Sequence, residues 1–493
     1  MSTESTTSTP TGTGEVGAPA GVRTGPLIAL LTGAAFVVIL NETIMGVALP
    51  DLMLEFSVPA TTAQWLTTAF LLTMAIVIPI SGWLLTRLPL RTVFVVAMGS
   101  FTLGTLICAL APVFGVLVAG RVVQAVGTAL MMPLLMTTIL NVVSPHKRGQ
   151  MMGVVSIVIS VAPAVGPTIS GVVLDQLTWR WMFWLVMPIA VLALAVGAAL
   201  VRNVTDPKAS PLDVVSVVLS ALAFGGLIYG LSSIGESAAG HTPVAPWIPL
   251  VIGALALAAF VQRQLSLTTR ALLDLRAFAT PTFSIAVLLV AVSMMALFGT
   301  LILLPIYLQT ALGLSTLATG LILLPGGLVM GLLAPVVGLL FDRYGPRPLV
   351  APGALVACVA LWGMTTFDIG TGRGSVIAAH VVLSVGLALM FTPLLTSALG
   401  SLPHALYSHG SAIVGTVQQV AGAAGTALFV TVMTRTSTAA LDDGVDPLTS
   451  VADGVHAALM WGGIISAAAV LLALFVRRPK PVVVDQVVEQ DLV

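Results

Sequence analysis

Residues 338–348 read GLLFDRYGPRP, and residues 82–92 read GWLLTRLPLRT. Gly, Leu, Arg and a second Arg recur at matching offsets. A second pair supports the first: GTALMMPLL at 127–135 against GLALMFTPLL at 386–395, with one extra residue in the later copy. The separations are 256 and 259 residues (338 minus 82, 386 minus 127). A chain that matches itself twice, in order, at nearly one offset contains two copies of one unit.

The surroundings of these turns say what kind of unit it is. Of 493 residues, 58% are hydrophobic and 8% charged. Soluble domains carry about 25% charged residues. No soluble core absorbs so much apolar surface, so the solvent is lipid. A spanning helix needs about 20 mostly apolar residues. That ruler gives fourteen spans: six in each repeat and two between them near 212–262. The expected fold class is an all-α membrane protein of two six-helix bundles plus two inserted helices. The expected segments are a disordered tail at 1–25, an N-terminal bundle at 26–202, the inserted pair at 203–275, a C-terminal bundle at 276–478 and a tail at 479–493. The start has no basic region leading into a short apolar core, so it reads as a tail and not as a signal peptide.

Lys and Arg set the orientation. With the N-terminus in the cytoplasm, fifteen of the 19 basic residues face inward, three (Arg180, Arg373 and Arg435) face outward, and Arg121 lies within a span. Both termini are then cytoplasmic. Net charge is zero, so nothing points to nucleic acid. Cys108 and Cys358 have no metal or redox spacing. No phosphate-cradling GxxxxGK[ST] is present, so no ATP drives this chain by itself, and no metal site or cofactor is expected. The abundance of Arg, Ala, Val, Leu and Gly suggests a bacterial source, hence the inner membrane.

Two membrane bundles with sites between them form the architecture of a secondary transporter. One acid decides how such a protein is driven. In VVILNETIMGVALP (37–50), Glu42 stands beside Asn41 in an apolar run. A charge in the bilayer interior costs several kcal/mol and marks a functional group by default. At 1.5 Å per residue, Glu42 lies roughly 22 Å from the start of its span and Arg121 roughly 9 Å from the start of its own, which runs the other way. In a core of about 30 Å both occupy the outer half. The pair reads as a proton-switched acid and base, or as a static ion pair that fixes packing. Gln124, one turn from Arg121, is a second candidate partner.

These motifs carry a resemblance. GLLFDRYGPRP looks like the loop signature of the major facilitator superfamily. The first copy departs from it, with Thr86 in the aspartate position and Pro89 in the second glycine position. GRVVQAVG (120–127) resembles the arginine-bearing fourth-span motif, and APAVGPTISG (162–171) the proline–glycine antiporter motif of the fifth span. LNETIMGVALP and WRWMFW (179–184) resemble the fourteen-span drug–proton antiporter branch, especially its lincomycin-resistance-like members. That branch usually has aspartate where Asn41 stands here.

The resemblance implies a proton-coupled exporter of amphipathic small molecules, working as a monomer by rocking of the bundles. Its alternatives are a dedicated exporter of one metabolite, amino acid or siderophore, and a non-transporting sensor. Proton coupling falls to Glu42 and Arg121. Sparse polar groups line the expected cavity: Asn41, Gln64, Trp65, Gln124, Tyr307, Gln309, Gln418 and Gln419. Conformational roles fall to Gly82, Arg87, Arg91, Pro163, Gly166, Pro167, Gly171, Asp342, Arg343, Gly345 and Arg347. Within this set, Gly166 and Gly171 are expected to let the opposite bundle approach closely, and the first-copy turn, lacking its carboxylate, to latch weakly. A single embedded acid suggests neutral or monovalent substrates.

Overall fold

The computed structural model describes residues 24–476 apart from 46–47, 59, 64, 202, 204–211, 239–243 and 268–269. The two tails lie outside the described residues, except for residues 24 and 25. The described residues form helices and no strands. Lipid leaves no other choice for an open chain, because each backbone N–H and C=O must be satisfied within its own segment.

The N-terminal unit contains α1 (Thr24–Ile44), α2 (Leu49–Phe56), α3 (Ala60–Ala63), α4 (Trp65–Arg87), α5 (Leu90–Ala109), α6 (Phe114–Val142), α7 (Arg148–Gln176) and α8 (Arg180–Leu200). The insertion is α9 (Val214–Ala238) and α10 (Trp247–Leu267). The C-terminal unit contains α11 (Pro281–Ile306), α12 (Thr316–Tyr344), α13 (Arg347–Met364), α14 (Arg373–Gly400), α15 (Tyr407–Asp442) and α16 (Pro447–Ala473). Thirteen described helices are long and apolar enough to cross a membrane. The fourteenth span is α7, bent by 41° between Pro145–Pro163 and Thr168–Gln176. Proline removes a backbone donor and crowds the preceding turn, and Pro163 opens this bend.

Helix ends follow local chemistry. The Ser315 hydroxyl accepts from Ala318 N at the start of α12, and Asp446 accepts from Leu448 and Thr449 N at the start of α16. Gly345 ends α12 with φ +81°, a conformation that a side chain would strain.

In the first unit α1 packs on α6, α7 and α8, and α5 packs on α6 and α8. In the second, α11 packs on α14, α15 and α16, and α13 on α14 and α16. The units meet along two seams: α7 lies on α12 and α14, while α15 lies on α4 and α6. The inserted α9 rests on α4 and α15, one helix from each unit, so the hairpin covers the second seam from the side. One end of the molecule carries Arg87, Arg91, Lys147, Arg148, Arg343 and Arg347 and is called here the basic end. The α7–α8, α13–α14 and α15–α16 turns lie at the other.

Candidate functional site

Arg121 sits on α6, two turns below the end away from the basic one. It is 1% exposed. A buried guanidinium needs acceptors. Its Nη1 donates to Gln124 Oε1 at 2.7 Å and to Asn41 Oδ1 at 3.2 Å, and Gln124 Nε2 donates to Thr105 Oγ1 at 2.8 Å. The guanidinium lies 4.0 Å from the Phe70 ring centroid, a cation–π contact. The result is a polar chain crossing α1, α6 and α5, with α4 supplying the ring. Gly104 makes room for it: a Cβ there would stand 2.4 Å from Gln124 N.

Glu42 shares the layer but not the bond. The expected direct acid–arginine pair is absent among the described residues, whose ion pairs are Glu55–Arg180, Asp213–Arg263 and Asp274–Arg276. The reason is rotational. Asn41 and Glu42 are one residue apart on α1, hence about 100° apart around its axis. Asn41 faces α6 and takes the arginine. The Glu42 carboxylate is half-buried and has no hydrogen-bond partner among the described residues. Two donors of the polar chain, Arg121 Nε and Asn41 Nδ2, are buried without an acceptor among the described residues. An unpartnered carboxylate and two unsatisfied donors in one layer are chemically complementary.

A second constellation closes the basic end. Asp342, at the end of α12, accepts from Gly149 N at 2.8 Å and Gln150 N at 2.9 Å, the free amides at the start of α7. A carboxylate is favourable there because the first amides lack intrahelical partners and the helix dipole is positive. The approach depends on glycines of both helices. A Cβ at Gly338 would lie 2.2 Å from Gly149 O, and one at Gly153 would lie 2.4 Å from Ala334 O. Further links between bundles join Arg148 Nη1 to Tyr407 Oη (3.0 Å), Thr137 to Ser411 (3.3 Å) and Thr392 to Ser156 (2.8 Å). All lie in the half nearest the basic end. The Gln419–Met74 contact, 3.8 Å to sulfur, is the one nearest mid-depth.

The other anticipated residues distribute unevenly. Arg343 and Arg347 are exposed, Arg343 lying over the Tyr344 ring, so in this conformation the latch is made by Asp342 alone. In the first copy Arg87 lies over the Trp83 ring and the Arg91 amide donates to Asn203. Gly82 touches Ala412 and His409 of α15, while Thr86 bonds its own helix at Trp83 O. That seam therefore has the close approach without a carboxylate cap. Gly166 does not face the opposite bundle: a Cβ there would lie 2.2 Å from Thr43 Oγ1 of α1, directly after Glu42. Gly171 has open space around it. On α7 the glycines that admit the opposite bundle are Gly149 and Gly153, too plain in sequence to stand out. Pro163 is half-buried; the Pro167 side chain and Gln64 lie outside the described residues.

Tyr307 is not a cavity group. It is fully buried, donates to Asp368 O at 2.6 Å and stacks on Phe367. Gln309 is exposed in a turn of wide helix that ends the α11 segment. Trp65 stacks on Tyr229 of the inserted α9 at 6.2 Å. Gln418 and Gln419 sit half-buried on α15, and Gln418 Nε2 has no partner among the described residues.

Two polar sites were not legible as such. Glu55 of α2 accepts from Trp179 Nε1 and Arg180 Nη1, both at 2.5 Å, fastening the first turn of the WRWMFW segment. Burial pushes the Glu55 carboxyl up, but the bonds from Arg180 and Trp179 outweigh it and hold the group below the usual carboxylate range. At the insertion, Asp213 takes Arg263 through two bonds of 2.6 and 2.7 Å. That bond, aided by Ser216, holds its carboxyl well below the usual range. Gln264 then joins Ser216 Oγ to the backbone of Leu273, tying α10 to the connector that enters α11.

Two helical bundles with a buried polar chain in one and a sealed end between them define a multi-pass membrane transporter, not an enzyme. The model of the Major Facilitator Superfamily matches residues 31–426, and the chain belongs to that superfamily. It is 43% identical to lincomycin resistance protein LmrB of Listeria monocytogenes over 464 residues, covering 93% of this chain and 98% of that one. It is 40% identical to LmrB of Bacillus subtilis, covering 92% and 96%. Against the multidrug resistance protein B homolog of Mycobacterium tuberculosis the identity is 30%, covering 80% and 73%. Among solved structures, the human organic anion transporter MFSD10 superposes with a TM-score of 0.65 at 13% identity, covering 92% of this chain and 99% of that one. The proton:xylose symporter XylE gives 0.63 at 15%, covering 93% and 97%. At those identities the likeness concerns the fold.

Proposed function

We propose that this protein is a proton-coupled exporter of amphipathic small molecules, including antibiotics, in a bacterial inner membrane. The observation that carries the reading is the Glu42 layer. An unpartnered carboxylate sits within the span beside a buried arginine whose chain keeps two unsatisfied donors. A static structural pair would be formed; an acid left open beside its partner can change charge during a cycle. The names of the relatives support drugs as cargo.

The excess of Lys and Arg makes the basic end cytoplasmic. The sealed state is then outward-facing, closed by Asp342 on α7 and by the hydroxyl bridges behind it. In that state Glu42 takes a proton from outside and loses its charge. The neutral carboxyl no longer attracts the Arg121 guanidinium, and with that attraction gone the outer halves close and the cytoplasmic seal opens. Glu42 then releases the proton inward, and the restored carboxylate draws on the spare donors of Arg121 and Asn41 as substrate binds. Proton motive force supplies roughly 2.3 kcal/mol per charge per 100 mV, before the pH term.

Substrate-induced proton release from inverted vesicles tests this, with wild type beside Glu42→Gln and a panel of lincosamides, lipophilic cations and neutral dyes. Wild type is expected to dissipate an imposed pH gradient on adding a substrate, and the variant to lose that response. Equal responses would make Glu42 structural.

A further inference from the structure

The repeat offset of 259 residues maps α6 onto α14. The helices begin at Phe114 and Arg373, a difference of 259, and the eighth residue of each is Arg121 and His380. The offset of 256 maps Phe70 of α4 onto Gly326 of α12. In the N-terminal bundle the Arg121 guanidinium lies over the Phe70 ring. In the C-terminal bundle the exchange is reciprocal. The aromatic ring stands on the helix that carried the cation, and its partner position has no side chain. A Cβ at Gly326 would lie 2.3 Å from His380 Nδ1 and 2.5 Å from Cε1, so the imidazole fills the notch that Gly326 leaves.

The partners of Arg121 have no counterparts here. Gln124 maps to Leu383. His380 Nδ1 is buried without a hydrogen bond among the described residues. The ring as a whole keeps some exposure, and no described residue bonds Nε2. Ser384, one turn further along α14, presents its Oγ to the same notch: the Gly326 Cβ position is 2.8 Å from it. The elements packed against α14 are α7, α11, α12, α13 and α15. Their titratable and charged groups are Arg148 and Asp175, Asp342, Arg343 and Tyr344, Arg347 and Cys358, and Tyr407, His409, Arg435 and Asp442, together with Tyr307 after α11 and Arg373 on α14 itself. Most of these stand near helix ends, exposed or already bonded, and none bonds His380.

We propose that His380 is a second proton-binding residue of the transport cycle, held in the Gly326 notch of the C-terminal bundle as the counterpart of Arg121. A buried orphan N–H is rarer than a buried orphan acceptor, so the neutral ring carries its hydrogen on Nε2 and a lone pair on Nδ1. A proton from water adds to that lone pair and gives the imidazolium. Its new N–H opens on the notch that Ser384 Oγ also lines, and that hydroxyl becomes its acceptor once the two side chains turn toward each other; the reverse transfer returns the neutral ring. The inference rests on the exporter reading above and adds one proton to it. A cycle that moves two protons against one monovalent cation carries net charge, whereas one proton against that cation is electroneutral.

Ethidium efflux from proteoliposomes, driven at fixed pH gradient with and without a valinomycin-set membrane potential, reads this directly. One net charge at 100 mV changes the accumulation ratio about fiftyfold. Wild type is expected to respond to the potential. His380→Gln and His380→Asn are expected to keep efflux driven by the pH gradient and to lose the response to potential. Retained response in folded variants overturns the proposal, and so does a wild type indifferent to potential. A Glu42→Gln protein that matches wild type in every arm would instead make Glu42 structural and remove the coupling reading on which this inference rests. Should neither His380 variant fold, ¹⁵N-histidine spectra of wild type decide: no ring changing protonation when ethidium binds overturns the proposal.

Discussion

Arg121 shows how far a side chain's role can be read from its position. Its depth follows from the rise of a helix, so its shared layer with the first-span acid was legible. Its partner was not. Whether Asn41 or Glu42 meets it depends on how α1 is rotated, and that is set by everything α1 packs against. Replacing Arg121 by Met leaves Gln124 Oε1 and Asn41 Oδ1 without their donor. Interhelical hydrogen bonds in membranes contribute about 0.6–2 kcal/mol each. Arg121→Met is therefore expected to lose about 1–3 kcal/mol, read as a lower melting temperature in detergent, and to lose transport. Arg121→Lys, which keeps charge but not the fork, should recover stability more than transport.

Glu55 gives a prediction with a defined sign. Its folded-state carboxyl titrates below its unfolded value, held there by Arg180 and Trp179. Such a group contributes stability above the unfolded value, about 4.3, and loses it as pH falls through the folded one. The outer fastening is thus intact at neutral pH and is lost as the pH falls past the usual carboxylate range. Glu55→Gln should flatten the acid limb of the melting-temperature profile and change little at pH 7 beyond a modest constant loss, since the pair is half-exposed.

At the scale of the element, α7 and α12 are built to touch. Proline bends α7, and glycines on both helices remove the side chains that would hold them apart. The aspartate in GLLFDRYGPRP was legible as a latch because a lone acid among basic residues is not explained by anchoring. Its receptor was not legible, because a helix N-terminus has no sequence mark when its cap comes from another bundle. Gly338→Leu would drive a side chain into Gly149 O. It should hold the basic end open, cut transport at least about tenfold and leave the fold intact. Asp342→Asn, losing charge but not shape, should shift the balance of states by about 0.3–1 kcal/mol. A thiol probe on Ser411→Cys would report both as faster labelling from the cytoplasmic side.

At the scale of the molecule, the two bundles are one plan used twice with different chemistry. The carboxylate latch survives only at the second copy, and the permanently charged buried arginine only at the first. The inserted hairpin closes the seam between α4 and α15, which makes it a wall of the protein instead of an appendage. The hydroxyls of Thr137 and Ser411 are 3.3 Å apart across the bundles. Cysteines at both positions should cross-link under mild oxidation, abolish transport and recover it on reduction. Cys108 and Cys358 are buried and should not interfere. A protein that transports with the bond intact would show that this seal does not open.

Composition determined that the solvent is lipid, and hydropathy with the internal repeat determined six spans, two and six. These are properties of the chain counted along its length, and backbone satisfaction in a bilayer leaves no other solution. The layer of Glu42 and Arg121 belongs with them, since depth is residue number multiplied by rise. Tertiary packing decided the rest. It turned Asn41 rather than Glu42 toward the arginine, set Gly166 against α1, buried Tyr307 against Phe367 and gave Asp342 the amides of α7. Each of these depends on which faces of two helices meet. A sequence fixes the angle between residues on one helix, but the angle between one helix and the next is chosen by all their contacts together.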